Sequence, residues 1–164
     1  MDSPQRFRSG KIPSLKGVYM TVFTIGYEGL DIDAFVALLA KHRIDTVVDI
    51  RELPLSRKRG FSKKALGSTL NLHGHDYVHM AALGCPKPVR NDYRDDGDWQ
   101  RYTRGFVRHL KTQGEALAGL SAMTDASNCA LLCYEADFTR CHRSLVADAL
   151  REEYGADIEH IQAR

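Results

Sequence analysis

One short stretch of this 164-residue chain gathers a thiol pair, an imidazole and a guanidinium: Cys133, then Cys141, His142 and Arg143. A thiol becomes a nucleophile once it loses its proton, an imidazole moves protons near neutral pH, and a guanidinium binds anions in a planar fork. Glu135 lies between the cysteines, so a carboxylate is also at hand for proton transfer. Cys133 closes the most apolar run of the sequence, Cys129–Cys133, and helical periodicity begins near Arg140. The stretch therefore spans a strand-to-helix junction. In the first helical turn the dipole favours a thiolate at Cys141, and Arg143 is placed to bind an anion at the same helix end. The spacing differs from the Cys-x5-Arg phosphate loop of protein tyrosine phosphatases, which argues against that chemistry.

The same residues have other uses. Cys85, Cys133, Cys141 and His142 offer four soft ligands, yet no Cys-x2-Cys pair exists, and adjacent Cys141 and His142 do not easily reach one ion from a helix. Four strand residues place Cys129 roughly 13 Å from Cys133. No metal and no cofactor is assigned on this reading. A purely structural reading makes Cys129 and Cys133 core residues, Glu135 and Arg143 a buried pair, and His142 a helix cap. His73, His75 and His79 receive no role.

These side chains need a scaffold, and the chain alternates in the way that builds one. Tyr19–Gly26 is a strand running into a turn. Asp31 caps a helix whose Ile32, Phe35, Val36 and Leu39 share a face. A second strand lies in Asp45–Arg51, and Ser62 caps a helix with Ala65, Leu66 and Leu70 inward, stopped by Gly74. Tyr77–Met80 is a third strand, and Gly84 to about Asp98 reads as a loop rich in Gly, Pro and Asp. Trp99, Tyr102, Phe106 and Leu110 mark a third helix that continues or breaks near Gly114 before Leu117–Met123. After the Cys129–Cys133 strand, Arg140–Tyr154 is a helix with Leu145, Val146, Ala149 and Leu150 inward, and Ile158–Ile161 is a final strand. Strands alternating with helices imply a three-layer α/β domain: a mostly parallel, doubly wound sheet of about five strands with helices on both faces. The strand order is not legible from this pattern.

In such sheets ligands bind beyond the carboxyl ends of the strands. Gly26, Tyr27, Asp49, Arg51, Cys133, Glu135, His142 and Arg143 all fall at or after predicted strand ends. Asp49 and Arg51, two apart, share a face and either pair with each other or recognise an anion. The loop that follows carries Arg57, Lys58 and Arg59, with Lys63 and Lys64 beyond, enough charge to meet several phosphates of a nucleic acid.

Composition excludes several classes. With 43% hydrophobic and 27% charged residues and a net charge of +2, the chain reads as one ordinary globular domain. No apolar run approaches the roughly 20 residues of a membrane helix, so no membrane partner is expected. Residues 1–18 read as a flexible basic leader and 19–164 as the domain, and Met20 offers an alternative start. Lacking a visible secretory signal, the chain is expected in the cytoplasm, where four cysteines are thiols more often than disulfides.

An ordered series of motifs resembles the family known as domain of unknown function 488. It comprises Thr24-Ile-Gly-Tyr27, Asp49-Ile-Arg51 with Pro54 and Ser56, Gly60-Phe61-Ser62, Tyr77-Val-His79 before Leu83-Gly84, and Leu132-Cys133 with Glu135 and Cys141-His-Arg143. The resemblance runs from about Val22 to Ile161. Phe138 stands where the family often has proline, and Cys85 where a second glycine often follows Leu-Gly. The resemblance implies an α/β domain of bacterial or archaeal cytoplasm with the Cys-His-Arg segment as its hallmark. It carries over no catalytic residue.

The leading expectation is an enzyme, a hydrolase or transferase, acting on a phosphate-bearing substrate such as a nucleotide or nucleic acid. Arg51, Arg143 and Tyr27 would hold the anion, Glu135 or His142 would move the proton, and Cys141 would be nucleophile or packing residue. The pocket would have the Cys133–Arg143 stretch as one wall and Gly26–Tyr27 with Arg51 as the other. Two alternatives stand beside it: a non-catalytic nucleic-acid-binding module using Arg57, Lys58 and Arg59, and a thiol-based sensor.

Overall fold

A computed structural model describes residues 20–163. The expected leader at 1–18 and the start of the first expected strand at Tyr19 lie outside the described residues. Five strands form one sheet in the order β3-β2-β4-β1-β5, every pairing parallel. They are β1 (Thr21–Gly26), β2 (Thr46–Asp49), β3 (Asp76–His79), β4 (Cys129–Cys133) and β5 (Asp157–Ile161). The helices are α1 (Ile32–Lys41), α2 (Lys63–Leu72), α3 (Lys87–Asp96), α4 (Trp99–Lys111), α5 (Gly114–Ala126) and α6 (His142–Tyr154).

Alternation along the strands divides the core into two layers. Val22, Val48, Ile50, Cys129 and Leu131 pack with α4, α5 and α6 through Phe106, Leu120, Val146 and Leu150. Phe23, Ile25, Val47, Ala130 and Leu132 pack with α1 and α2 through Phe35, Leu39, Leu66 and Leu70. β4 lies between β2 and β1, and all five of its residues are buried, which explains its unbroken apolar sequence.

Local chemistry accounts for most boundaries. The Asp31 carboxylate accepts from the Ala34 N–H at 2.8 Å and caps α1. Gly155, in the left-handed region at φ 68°, ends α6. Ser62 occupies the cap position of α2, but its hydroxyl serves Ser56 instead, donating to the carbonyl at 3.1 Å and accepting from the N–H at 3.0 Å. Two expectations need correction. Ala65 is exposed, because the inward stripe of α2 is Leu66 and Leu70 alone. The stretch from Gly84 to Asp98 contains α3, whose polar sequence buries no residue. Proline in its first turn needs no N–H partner, Gly97 ends it at φ 62°, and its support comes from α4. Arg101 reaches Asp92 at 3.0 Å and Asp96 at 2.8 Å, and the Tyr93 ring packs on Trp99 and Tyr102.

Candidate thiol site at the carboxyl edge of the sheet

The chain turns back on itself after β4. A short 3-10 turn, Phe138–Arg140, returns it to Cys141, which caps α6 in extended conformation at φ −137° and ψ 141°. The Cys133 and Cys141 sulfurs thereby meet, although their Cα atoms stand 7.6 Å apart, wider than an ordinary disulfide spans. Cys85 and Cys129 are free and buried. Of the four cysteines, Cys133 and Cys141 are therefore a contacting pair. What hid it was the turn, which converts a separation of eight residues into contact.

His142 is the first helical residue and is buried beside Phe106, with ring centroids 5.4 Å apart. Its Nε2 lies 2.8 Å from the Ile50 carbonyl, an acceptor only, so Nε2 carries the hydrogen and donates. Nδ1 is then left with a bare lone pair, 3.9 Å from Cys141 Sγ. Burial holds the imidazole neutral by pushing its pKa down to about 4. The ligand atoms of Cys133, Cys141 and His142 all lie within 4.8 Å of one another. The sequence-based objection that Cys141 and His142 diverge from a helix does not hold, because Cys141 is not yet helical.

Arg143 is fully buried. Its Nε donates to Thr24 Oγ1 at 3.1 Å, its Nη1 to Cys133 Sγ at 3.1 Å and to the Glu135 carbonyl, and its Nη2 to the Ala136 carbonyl at 3.2 Å. Among the described residues no carboxylate stands within ion-pair distance of it. Burial accordingly pulls its pKa down to about 10. The expected Glu135–Arg143 pair is a main-chain contact, not a carboxylate bridge, and burial pushes the Glu135 carboxyl above its ordinary range. Gly26 makes the arrangement possible, since a Cβ there would run into the Glu135 carbonyl and come within 3.0 Å of Arg143 Nη1. Thr24 had no role in the sequence reading. Its hydroxyl accepts from Arg143 and shares a hydrogen bond with His160 Nδ1 at 2.6 Å.

Arg51 belongs to a different cluster. It grips Asp49 with Nε at 2.9 Å and Nη2 at 2.7 Å, and Nη1 donates to Tyr27 Oη at 3.2 Å and the Phe61 carbonyl at 2.8 Å. Tyr77 donates to the same carboxylate at 2.5 Å. Burial lowers the Arg51 pKa, and its bonds to Asp49 and Tyr27 more than reverse that, leaving it raised. These residues occupy the α1 and α2 side of the sheet, whereas Arg143 descends from α6 on the other side. Each guanidinium is thus held by its own set of protein acceptors. The groove at this edge, about 350 Å³, is lined by Gly26, Glu28, Ala136, Asp137 and residues 161–163, with carboxylates and no cation among its described residues. Of the basic loop, Arg57 and Arg59 are exposed, while Lys58 is tied to the Tyr27 carbonyl at 3.2 Å.

A five-stranded, all-parallel sheet covered on both faces, with a buried Cys-His-Arg cluster beyond its central strand, defines a three-layer α/β protein. The chain belongs to the family described as domain of unknown function DUF488, whose match covers residues 31–150. No curated protein and no solved structure matches it. No described helix is long and apolar enough to cross a membrane.

Proposed function

We propose that this protein works through Cys133 and Cys141 as a reversible, oxidant-responsive dithiol, the thiol-sensor reading of its sequence. The observation that carries it is the meeting of the two sulfurs beside a buried guanidinium that has no carboxylate within ion-pair distance among the described residues. A thiolate at Cys133 would give Arg143 a counter-charge in direct contact, nearer than the carboxylates of Glu135 and Asp137 that act on it from a distance. An N–H···S bond from a cation favours that form. Cys141 sits at the amino end of the 13-residue α6, where the dipole also favours a thiolate.

The chemistry balances with a peroxide as oxidant and a small thiol as reductant. The Cys133 thiolate attacks one peroxide oxygen, the O–O bond breaks, and hydroxide leaves a sulfenic acid behind. Cys141 sulfur attacks the sulfenic sulfur, the S–O bond breaks, and water leaves as the disulfide forms. Two external thiols then return both cysteines to the reduced state while becoming a disulfide themselves.

The expectation of a hydrolase or transferase on a phosphate-bearing substrate would need Arg51 and Arg143 to release the protein acceptors they hold. Nucleic-acid binding through Arg57, Lys58 and Arg59 would leave the thiol pair without a role. The deciding experiment treats reduced protein with stoichiometric hydrogen peroxide and maps its cysteines by mass spectrometry. A Cys133–Cys141 linkage that a small thiol reverses, with Cys85 and Cys129 still reduced, is expected. Oxidation spread over all four cysteines, or none within the pair, would overturn the reading.

A further inference from the structure

From this geometry we infer a second state of the same site: in the reduced protein, Cys133 Sγ, Cys141 Sγ and His142 Nδ1 bind one Zn²⁺ ion, which oxidation of the pair releases. This rests on the dithiol reading above and adds a ligand to it. Three observations carry the inference. The first is the ligand set. Two thiols and an imidazole within 4.8 Å of one another match the soft and borderline donors that zinc takes in tetrahedral sites.

The second is how those donors are held. A ligating histidine usually donates its other N–H to a carbonyl or carboxylate, which fixes the tautomer and aims the free nitrogen. His142 does this through Ile50, and its bare Nδ1 faces the cysteines. Arg143 supplies the corresponding contact on sulfur, an N–H···S bond to Cys133 at 3.1 Å. Both ligand orientations are set without an ion.

The third is spacing. Ordinary disulfides span Cα separations of about 4.4–6.8 Å. Cys133 and Cys141 stand 7.6 Å apart, wider than that range. Zn–S bonds of about 2.3 Å at a tetrahedral angle put two thiolates about 3.8 Å apart, and a thiolate and an imidazole nitrogen about 3.6 Å apart. The Cys141 Sγ to His142 Nδ1 distance of 3.9 Å is close to that value, and a modest turn of the two cysteine side chains opens room for the ion. The backbone separation thus suits thiolates around a shared ion, and full closure to a disulfide draws the start of α6 toward β4. Among the described residues no further His, Cys, Asp or Glu joins the group, so water or an exogenous donor takes the fourth position.

The experiment uses the full chain, reduced and kept free of oxygen. Zn²⁺ is titrated against a chromophoric chelator, and Co²⁺ is added separately to read thiolate-to-metal charge-transfer absorption. One ion per chain is expected, with the Co²⁺ band present. His142→Asn should weaken binding about tenfold or more, and Cys133→Ser should abolish the band. Circular dichroism of each variant confirms folding, and Cys141→Ser repeats the test should His142→Asn unfold. Adding peroxide to the zinc-loaded protein should free one ion per disulfide formed. Binding that ignores both His142 and the cysteines, or no stoichiometric binding, overturns the metal site. If the disulfide still forms reversibly in that case, the dithiol reading stands alone. If zinc binds but peroxide closes no disulfide, the dithiol reading fails, and the coupled release fails with it.

Discussion

Gly26→Ala is the sharpest single test of how the site is built. The new methyl carbon would lie 2.5 Å from the Glu135 carbonyl carbon and overlap its oxygen. The obstacle is backbone, so no rotamer change relieves it. Displacing a packed loop costs about 1–3 kcal/mol. Moving the Glu135 carbonyl also weakens its charge-assisted bond to buried Arg143, a bond of a class worth about 1.5–3 kcal/mol. Together these predict a loss of about 2.5–6 kcal/mol, and at roughly 2–4 °C per kcal/mol for a chain of this size the Tm falls by about 5–24 °C. Gly119→Ala is the matched control, since nothing lies within 4 Å of the added carbon, and relief of helical glycine should stabilise α5 by about 0.5–1 kcal/mol. Thermal unfolding followed by circular dichroism, with excess reductant so that both proteins share one thiol state, gives the comparison. A Gly26→Ala protein melting within about 2 °C of the parent would refute the close-approach account.

Three further outcomes follow from other parts of the molecule. Asp49→Asn strips the buried Arg51 of its counter-charge and should cost about 3–5 kcal/mol in urea unfolding; a loss under 1 kcal/mol would mean the pair is not desolvated as described. His160, pushed down to about 4 chiefly by burial and also by Arg143 and Arg151, stays neutral in the fold where the unfolded chain takes up a proton. Its contribution is complete above pH 6.5 and is lost as pH falls toward 4, so His160→Asn should flatten the decline of the denaturant midpoint in that window, and an unchanged slope would contradict it. Replacing exposed Arg57 and Arg59 with alanine should move stability by no more than about 0.5 kcal/mol and leave peroxide-driven thiol loss unchanged. A change in thiol chemistry would tie that loop to the site.

The parts of the fold that bury apolar faces were legible. Phe35, Val36 and Leu39 on α1 and the run Cys129–Cys133 announced themselves because burial selects residue type directly. α3 was hidden, because its stability comes from Arg101, Trp99 and Tyr102 of another helix and its own residues read as loop. The site was half legible. Strand ends located Cys133, Cys141, His142 and Arg143 correctly at one junction, but alternation also predicts on which side of the sheet each residue falls. Asp49 and Arg51 share parity with Val47, on the α1 and α2 side, so their separation from Arg143 followed once the helices were assigned to faces. The contact between Cys133 and Cys141 depended on the 3-10 turn, and no periodicity encodes that turn.

The strand order has a consequence for how the molecule is made. β1 and β2 emerge early yet never pair with each other; the gap between them is filled by β4, which follows some eighty residues after β2 in the chain. Until that strand arrives, a nascent chain carries two unsatisfied inner edges that solvent, chaperones or neighbouring chains must cover. Closure of the sheet is therefore a late, long-range event, slow by the measure of loop entropy. Cys133 is the last residue of the strand that fills this gap, so the thiol pair can form only after the centre of the sheet has been supplied, with β5 still to add to its edge.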